Sequence, residues 1–296
     1  MYEMTRLICI NKCGADRSFS ISGQKTLSIM WVYLEQGFII YENREDTTYM
    51  KEKTGIDSFI LHILAMTFML CDHLWATLFP GQEWLTCVGR LAFPIFAFMI
   101  AEGYAHTSNV KKYMGRLFVF ALISEIPFNL IMGSSLVYPF HQNVLWTFLL
   151  GVLSMQIIEK ARKTEKKWLL VLTIVFVILG DYILGTLTMV DYNAAGVLTV
   201  LLFYFFREKN WVSFVAQVAG LFYLNVIMLG DLYYPVTILG HEFEIAQQSF
   251  ALLALIPIWL YNGKQGYHKK WFQYFCYAFY PAHLLLLYLI WQWWIR

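Results

Sequence analysis

The chain is short of charge. Only 14% of its 296 residues are Asp, Glu, Lys or Arg, where soluble domains carry about 25%. So small a polar complement cannot cover a chain that is 59% hydrophobic, and an ordinary soluble globular domain is excluded. Charge of one sign is also missing: 22 basic and 20 acidic residues leave a net charge of +2, and no global field points to nucleic acid as a partner. Cysteine is scarce. None of Cys9, Cys13, Cys71, Cys87 and Cys276 belongs to a CxxC pair. The chain therefore reads as holding free thiols, with no disulfide framework and no metal site. GxSxG, P-loop and GxGxxG motifs are absent, which removes the common soluble hydrolase and nucleotide-binding signatures. No internal repeat or low-complexity tract is present.

What the chain has instead is long apolar runs, and a mean hydropathy of +0.53. About 18 mostly apolar residues suffice to cross a bilayer as a helix. Nine such runs are predicted, at 57–79, 84–104, 111–132, 142–159, 168–184, 191–207, 211–230, 246–262 and 271–294. The alternative is a short re-entrant piece at the exit of the seventh, Gly230 to Gly240, which would make the count ten. The fold class is all-α, a polytopic helical bundle in a lipid bilayer. Its 11 Trp, 19 Tyr and 24 Phe suit two membrane–water interfaces.

Loop charge gives the orientation. Segments 80–83, 133–141, 185–190 and 231–245 contain no Lys or Arg. The alternate connections hold Lys111, Lys112 and Arg116, then the Glu159–Lys167 stretch, then Arg207 and Lys209, then Lys264, Lys269 and Lys270. The positive-inside rule places the N-terminus in the cytoplasm and the C-terminus outside. Residues 1–55 are polar and mixed in charge, without signal-peptide architecture. They read as a poorly ordered cytosolic extension, with a weak amphipathic helix as the alternative, ahead of a membrane domain over 56–296. Met50 opens MKEKTGIDSF, a plausible natural start.

An ionisable side chain inside a span costs about 2.5–3.5 kcal/mol at the helix centre on insertion scales. Each must pair within the bundle or line a polar cavity. The set is His62, Asp72, His73, Arg90, Glu102, Arg116, Glu125 and His283. At ~1.5 Å of rise per residue, His73, Arg90 and Glu125 each lie about 9–10 Å below the outer end of their spans, with Asp72 beside them. His283, counted from Trp294, falls near the midplane. Glu102, Arg116 and His62 lie nearer the cytosolic end.

Two readings of this layer stand. Arg90 pairs Asp72 or Glu125 to lock the bundle, or His73 is a general base in a polar chamber. His62 and His73 share a face with Met66 and Met69 between them. Asp72 is turned about 100° from His73 and suits a neighbour such as Arg90. Glu125 and Asn129 share a face, as do Tyr280 and His283. His141 and Asn143 stand at the outer mouth of the fourth span, and Asp191 caps the sixth. Pro94, Pro127 and Pro281 each remove a helical hydrogen bond. The same charges also fit a relay in a small transporter or proton-coupled flippase.

Several blocks carry a further signal: Met69-Leu-Cys-Asp72-His73, the run Gly89-Arg-Leu-Ala-Phe-Pro-Ile-Phe-Ala-Phe-Met-Ile-Ala-Glu-Gly103, and Ala121-Leu-Ile-Ser-Glu-Ile-Pro-Phe-Asn129. Asn143-Val-Leu, Tyr261-Asn-Gly-Lys264 and Phe279-Tyr-Pro-Ala-His-Leu-Leu-Leu-Leu-Tyr288 continue it. From about residue 56 to 290 they resemble the TraX family of integral-membrane proteins, which is similar to the wider transmembrane acyltransferases and whose founding activity is acetylation of a pilin N-terminal amine. The resemblance implies a bacterial cytoplasmic membrane and transfer of an acetyl or other acyl group from cytosolic acyl-CoA, the co-substrate. The acceptor would be an amine or hydroxyl at the outer face, on a peptide N-terminus, a glycan or a lipid headgroup.

The wider group often places a basic residue, ten intervening positions and a catalytic histidine on one helix. The histidine maps to His73, and the upstream position holds His62 where Arg or Lys is usual. On this resemblance His73, Asp72, Arg90 and Glu125 form the catalytic set. Arg90 would stabilise the oxyanion, and Asp72 or Glu125 would fix the imidazole tautomer. His283, Tyr280, Asn129, His141 and Asn143 face the acceptor. His62, Glu102, Lys111, Lys112 and Arg116 lie on the side where CoA enters.

Overall fold

The computed structural model describes residues 55–230, 232–238 and 241–295. The expected N-terminal extension falls outside them, as do Cys9 and Cys13. Helix starts follow from short polar side chains that take the first free backbone N–H groups. Asp57 accepts from Ile60 N at 2.9 Å and opens α1 (Ser58–Thr77). Asn109 accepts from Lys112 N at 2.9 Å and opens α4 (Val110–Gly133). Asn143 accepts from Leu145 N at 3.1 Å and opens α5 (Val144–Arg162). Between α1 and α4 the second run forms α2 (Glu83–Gly89) and α3 (Ala92–His106). The break at Arg90–Leu91 sits where Pro94, lacking an N–H, leaves the Arg90 carbonyl without its helical donor.

Beyond α5 come α6 (Lys167–Leu187), α7 (Asn193–Phe205) and α8 (Trp211–Phe222), the last running into a π-helical turn at Tyr223–Met228. A 3-10 helix (Gln247–Ala254) leads into α9 (Leu255–Leu260), and α10 (Lys270–Ile295) closes the chain. Each predicted run is helical. Among the described residues seven helices are long and apolar enough to cross a membrane, and Asn193–Phe205 and Gln247–Leu260 are shorter. The short α7 is tolerated because its apolar residues, Val197, Val200 and Phe203, are fully buried by neighbouring helices.

One expectation is corrected. The described residues 233–238 are strand and not the re-entrant helix given as an alternative. Alternating side chains make β1 (Tyr233–Ile238) and β2 (His241–Ala246), an antiparallel hairpin paired from Tyr233 with Ala246 to Ile238 with His241. Pro235 and the β-branched and aromatic residues of β1 oppose a helix there.

The two faces of α4 show what the sequence pattern encodes. Tyr113, Leu117, Ala121, Ser124 and Phe128 are buried, while Phe118, Val119, Leu122, Ile123 and Ile126 are exposed. Exposed apolar stripes also run along α6 and α10. Such surface requires hydrocarbon around it, so the protein is an integral, multi-pass membrane protein. Exposed Trp168, Trp211 and Trp271 begin α6, α8 and α10 at one end, and exposed Trp84, Trp293 and Trp294 mark the other, two aromatic belts. The first end carries the Lys- and Arg-rich connections and is called the basic end below.

Helix α1 packs on α3 and α10, α10 on α4, α4 on α5, and α5 on α3. These five close a ring. At the basic end the ring is tied by Ser58 N to Lys264 O (2.9 Å) and Asn262 N to Ile56 O (2.8 Å). At the far end Gln142 N donates to Met189 O (2.8 Å) and Asp191 N to Gln142 O (2.9 Å).

Helices α1 and α2 touch most closely at Gly89. A Cβ there would lie 2.8 Å from the Asp72 Cα and 2.6 Å from Asp72 Oδ1. A backbone atom cannot move aside cheaply, so Gly89→Ala is expected to lower stability by about 1–3 kcal/mol, the range of overpacked cores. Thermal unfolding of the purified protein in detergent measures it.

Candidate functional site

The sequence places His73 and His283 at different heights. The structure puts them in contact: His73 Nδ1 lies 2.6 Å from His283 Nε2, with ring centroids 4.9 Å apart. The error came from counting down from Trp294. Helix α10 overshoots the bundle, leaving Trp293 and Trp294 more than 70% exposed. Counted from the basic end, His283 is about 20 Å and His73 about 22 Å along their helices. His283 is buried, its Nδ1 sits 2.7 Å from Phe279 O, and its ring stacks on Phe279. Tyr280 is buried beside both rings.

Asp72 and Arg90 form an ion pair. Asp72 Oδ1 also accepts from Thr86 Oγ1 at 2.9 Å. Gln247 Nε2 donates to Thr86 Oγ1 (3.2 Å) and to the Tyr234 hydroxyl (2.8 Å), and Tyr234 donates to Glu83 Oε2 (2.6 Å). A hydrogen-bonded chain thus runs from the hairpin to the buried pair. Arg90 Nε is buried and keeps a donor without a partner.

Glu125 sits across the ring on α4. It accepts from Asn143 Nδ2 and, at 3.0 Å, from Trp146 Nε1. Its second oxygen is buried and unpartnered. Asn143 is fully buried and also donates to Ala121 O at 2.9 Å. Neither Asp72 nor Glu125 bonds to His73, contrary to the expectation that one of them would fix its imidazole. Asn129 donates to Leu136 O at 3.3 Å and leaves its own buried oxygen unpartnered.

Asp191 joins these groups. The sequence casts it as a helix cap, but the cap position of α7 is Tyr192 and no side chain caps that helix; Asp191 bonds in the loop before it. Its Oδ1 accepts from Tyr192 N (3.1 Å) and pairs with His141 Nε2 (3.2 Å). It lies within electrostatic reach of His73, Arg90 and Tyr280. Tyr192 stacks on Phe93 with centroids 3.9 Å apart. Thr86, Tyr192 and Gln247 were not legible beforehand, since a polar residue at a span end has many ordinary uses.

Below this layer a cavity of about 360 Å³ opens at the basic end. Its walls come from all five helices of the ring. The mouth has His106, Thr107 and His268, the shaft has His62, Glu102 and Arg116, and the inner end has Met69, Val144 and Tyr280. From Ser58 to Met69 the shaft is about 16 Å deep. Three of the five residues expected on the CoA side therefore line it. Lys111 and Lys112 are exposed at the start of α4 and do not. His62 Nδ1 is 2.7 Å from Ser58 O. Glu102 engages His106 (3.0 Å) and Arg207 (3.6 Å). Arg116 lies 5.8 Å over the Tyr113 ring, with its Nε buried and unpartnered.

His141 lies in the loop between α4 and α5, and its hydrogen bond to Asp191 raises its pKa above the usual 6.5. A raised folded value means that the pair contributes fully below about pH 6.5 and loses that contribution as pH rises through the folded value. The thermal stability advantage of wild type over His141→Gln should therefore shrink from pH 6 to pH 9. Its full size should stay under ~1 kcal/mol, as for partly exposed pairs.

With this geometry in hand, the comparisons with known proteins are specific. The sequence model of the TraX protein family matches residues 58–291. The chain is 26% identical over 255 residues to the probable fimbrial assembly protein FimC, serogroup H1, of Dichelobacter nodosus, covering 80% of this chain and 97% of that protein. No solved structure matches. The family match spans the whole ring of helices and both halves of the site, and the chain belongs to the TraX family.

Proposed function

We propose that the protein transfers an acyl group, most simply acetyl, from acyl-CoA at the basic end to an amine or hydroxyl acceptor at the opposite face. One observation carries this reading: a narrow cavity, open where the positive-inside rule places the cytoplasm, leads to the underside of a buried imidazole layer. A long, thin acyl carrier with an anionic head suits such a shaft. Its head would lie at the mouth beside His106 and His268, with Arg116 further in, and its thioester at the inner end. The Tyr280 ring there contacts the rings of His73 and His283.

The donor supplies an activated acyl group, and the chain supplies the rest. His73 takes the proton of the acceptor and makes it a better nucleophile. Arg90, held by Asp72, which Thr86 in turn holds, has a buried donor left to stabilise negative charge on the acyl oxygen. Arg116, unpartnered at Nε in the shaft, suits an anionic or carbonyl group of the carrier. Tyr280, Met69 and Phe148 keep the inner end dry. The acceptor approaches from the far end, where His141, Asn143 and Asp191 sit. The fimbrial relative makes an exported protein subunit one acceptor to try, beside sugars and lipid headgroups. A bacterial cytoplasmic membrane is part of the same proposal.

Release of free thiol from acetyl-CoA by the full chain in nanodiscs, with and without acceptor, tests this. His73→Ala should lose about 100-fold or more, while His241→Ala on the exposed hairpin should not change. Turnover by His73→Ala at the wild-type rate would overturn the assignment. Proton or solute flux without thiol release would favour the transporter alternative. In the same assay Arg116→Gln should raise KM for acetyl-CoA roughly 10-fold, about 1.4 kcal/mol, with kcat nearly unchanged.

A further inference from the structure

A base must present a bare nitrogen, and the histidine pair decides which one. We infer that His283 is a positioning residue that holds His73 in the tautomer with a proton on Nδ1, leaving Nε2 free to take a proton. The inference rests on the acyl-transfer reading for its purpose, but not for its geometry.

The argument is an accounting of donors. Phe279 O offers only lone pairs, so His283 Nδ1, 2.7 Å away, must be the donor. A neutral His283 then has no hydrogen on Nε2, and that nitrogen can only accept. Its partner at 2.6 Å is His73 Nδ1, which must therefore donate. A neutral imidazole carries one proton, so His73 Nε2 is bare. The two carboxylates of the layer bond elsewhere and not to His73: Asp72 with Arg90 and Thr86, Glu125 through one oxygen with Asn143 and Trp146. His283 has little freedom to turn. It is 5% exposed and held between the stacked Phe279 ring, 4.8 Å away, and Tyr280.

This arrangement does the work of the carboxylate in a serine-hydrolase triad, with an imidazole anchored on a backbone carbonyl in its place. The reaction balances as follows. The acceptor X–H gives its proton to His73 Nε2 as the new acyl–X bond forms. The positive charge on His73 is shared through the Nδ1–H···Nε2 bond with His283. His283 has no outlet beyond it, because its own Nδ1 already carries a proton aimed at a carbonyl. The proton therefore leaves again by His73 Nε2, to the sulfur released when the acyl–S bond breaks. The products are acyl–X and the free thiol.

Nitrogen-15 NMR of histidine-labelled full chain in nanodiscs reads the tautomer directly, with the His73 signals assigned by their loss in His73→Gln. His73 Nδ1 should appear protonated and Nε2 unprotonated. His283→Leu should convert His73 to a mixture containing the Nε2–H form. A protonated Nε2 in the wild-type protein, or an unchanged tautomer in His283→Leu, overturns the inference.

Kinetics gives a second readout. His283→Leu should lose roughly 100-fold in kcat with KM for acetyl-CoA within about twofold. His283→Gln keeps an acceptor oxygen and should recover most of the loss, whereas His283→Lys, a donor only, should not. Equal losses in all three would make His283 merely structural and overturn the inference. If the wild-type protein releases no thiol with any acceptor, the acyl-transfer reading falls, and the NMR result still decides the tautomer.

Discussion

An unpaired charge in hydrocarbon is too costly to keep, and the far half of this protein is arranged around that constraint. Arg90 is the strongest case, an ever-charged group set into a span. The ion pair with Asp72 makes it tolerable, and the rest of the local structure serves the pair. Gly89 lets α2 come close enough for Asp72 to reach. Pro94 ends the hydrogen-bond ladder at the residue that needs room. Thr86, Gln247, Tyr234 and Glu83 satisfy the oxygens in sequence out to the hairpin. Linked bonds of this kind restrict the arrangement of each member, and Arg90 Nε is left without a partner. Across the ring, Glu125, Asn143 and Trp146 form a second bonded group.

Most of the architecture was legible from the sequence. Length and apolarity located the helical runs, and the alternation of Lys and Arg between connections gave one basic end. The heights of His73, Arg90, Asp72 and Glu125 were readable because each span has a polar end to count from. His283 was misplaced because α10 continues past the bundle, so its last residue was the wrong reference. The hairpin was misread because residues 230–240 are apolar without being helical, and period-two alternation is easily lost in a stretch so short. Asp191 was undervalued because a carboxylate at a helix start is usually a cap, and only the fold brings His141 and Arg90 to it.

The site divides by chemistry as well as by height. Near the basic end the ring of α1, α3, α4, α5 and α10 encloses a shaft whose polar groups are few and spaced, suited to gripping a ligand at several points. Near the far end the polar groups are dense and bonded to one another, suited to holding fixed charge. Met69, Val144 and Tyr280 form the boundary between the two. A helix that places His62 in the shaft and His73 in the layer above it on one face, as α1 does, needs a period close to 3.6 over eleven residues. That regularity explains why α1 contains neither proline nor glycine.

The shaft has a floor. Its lining reaches Met69, Val144 and Tyr280 and goes no deeper, so whatever fills it from one compartment does not emerge in the other. A dead-end well of this kind lets a molecule be worked on at depth without opening a leak.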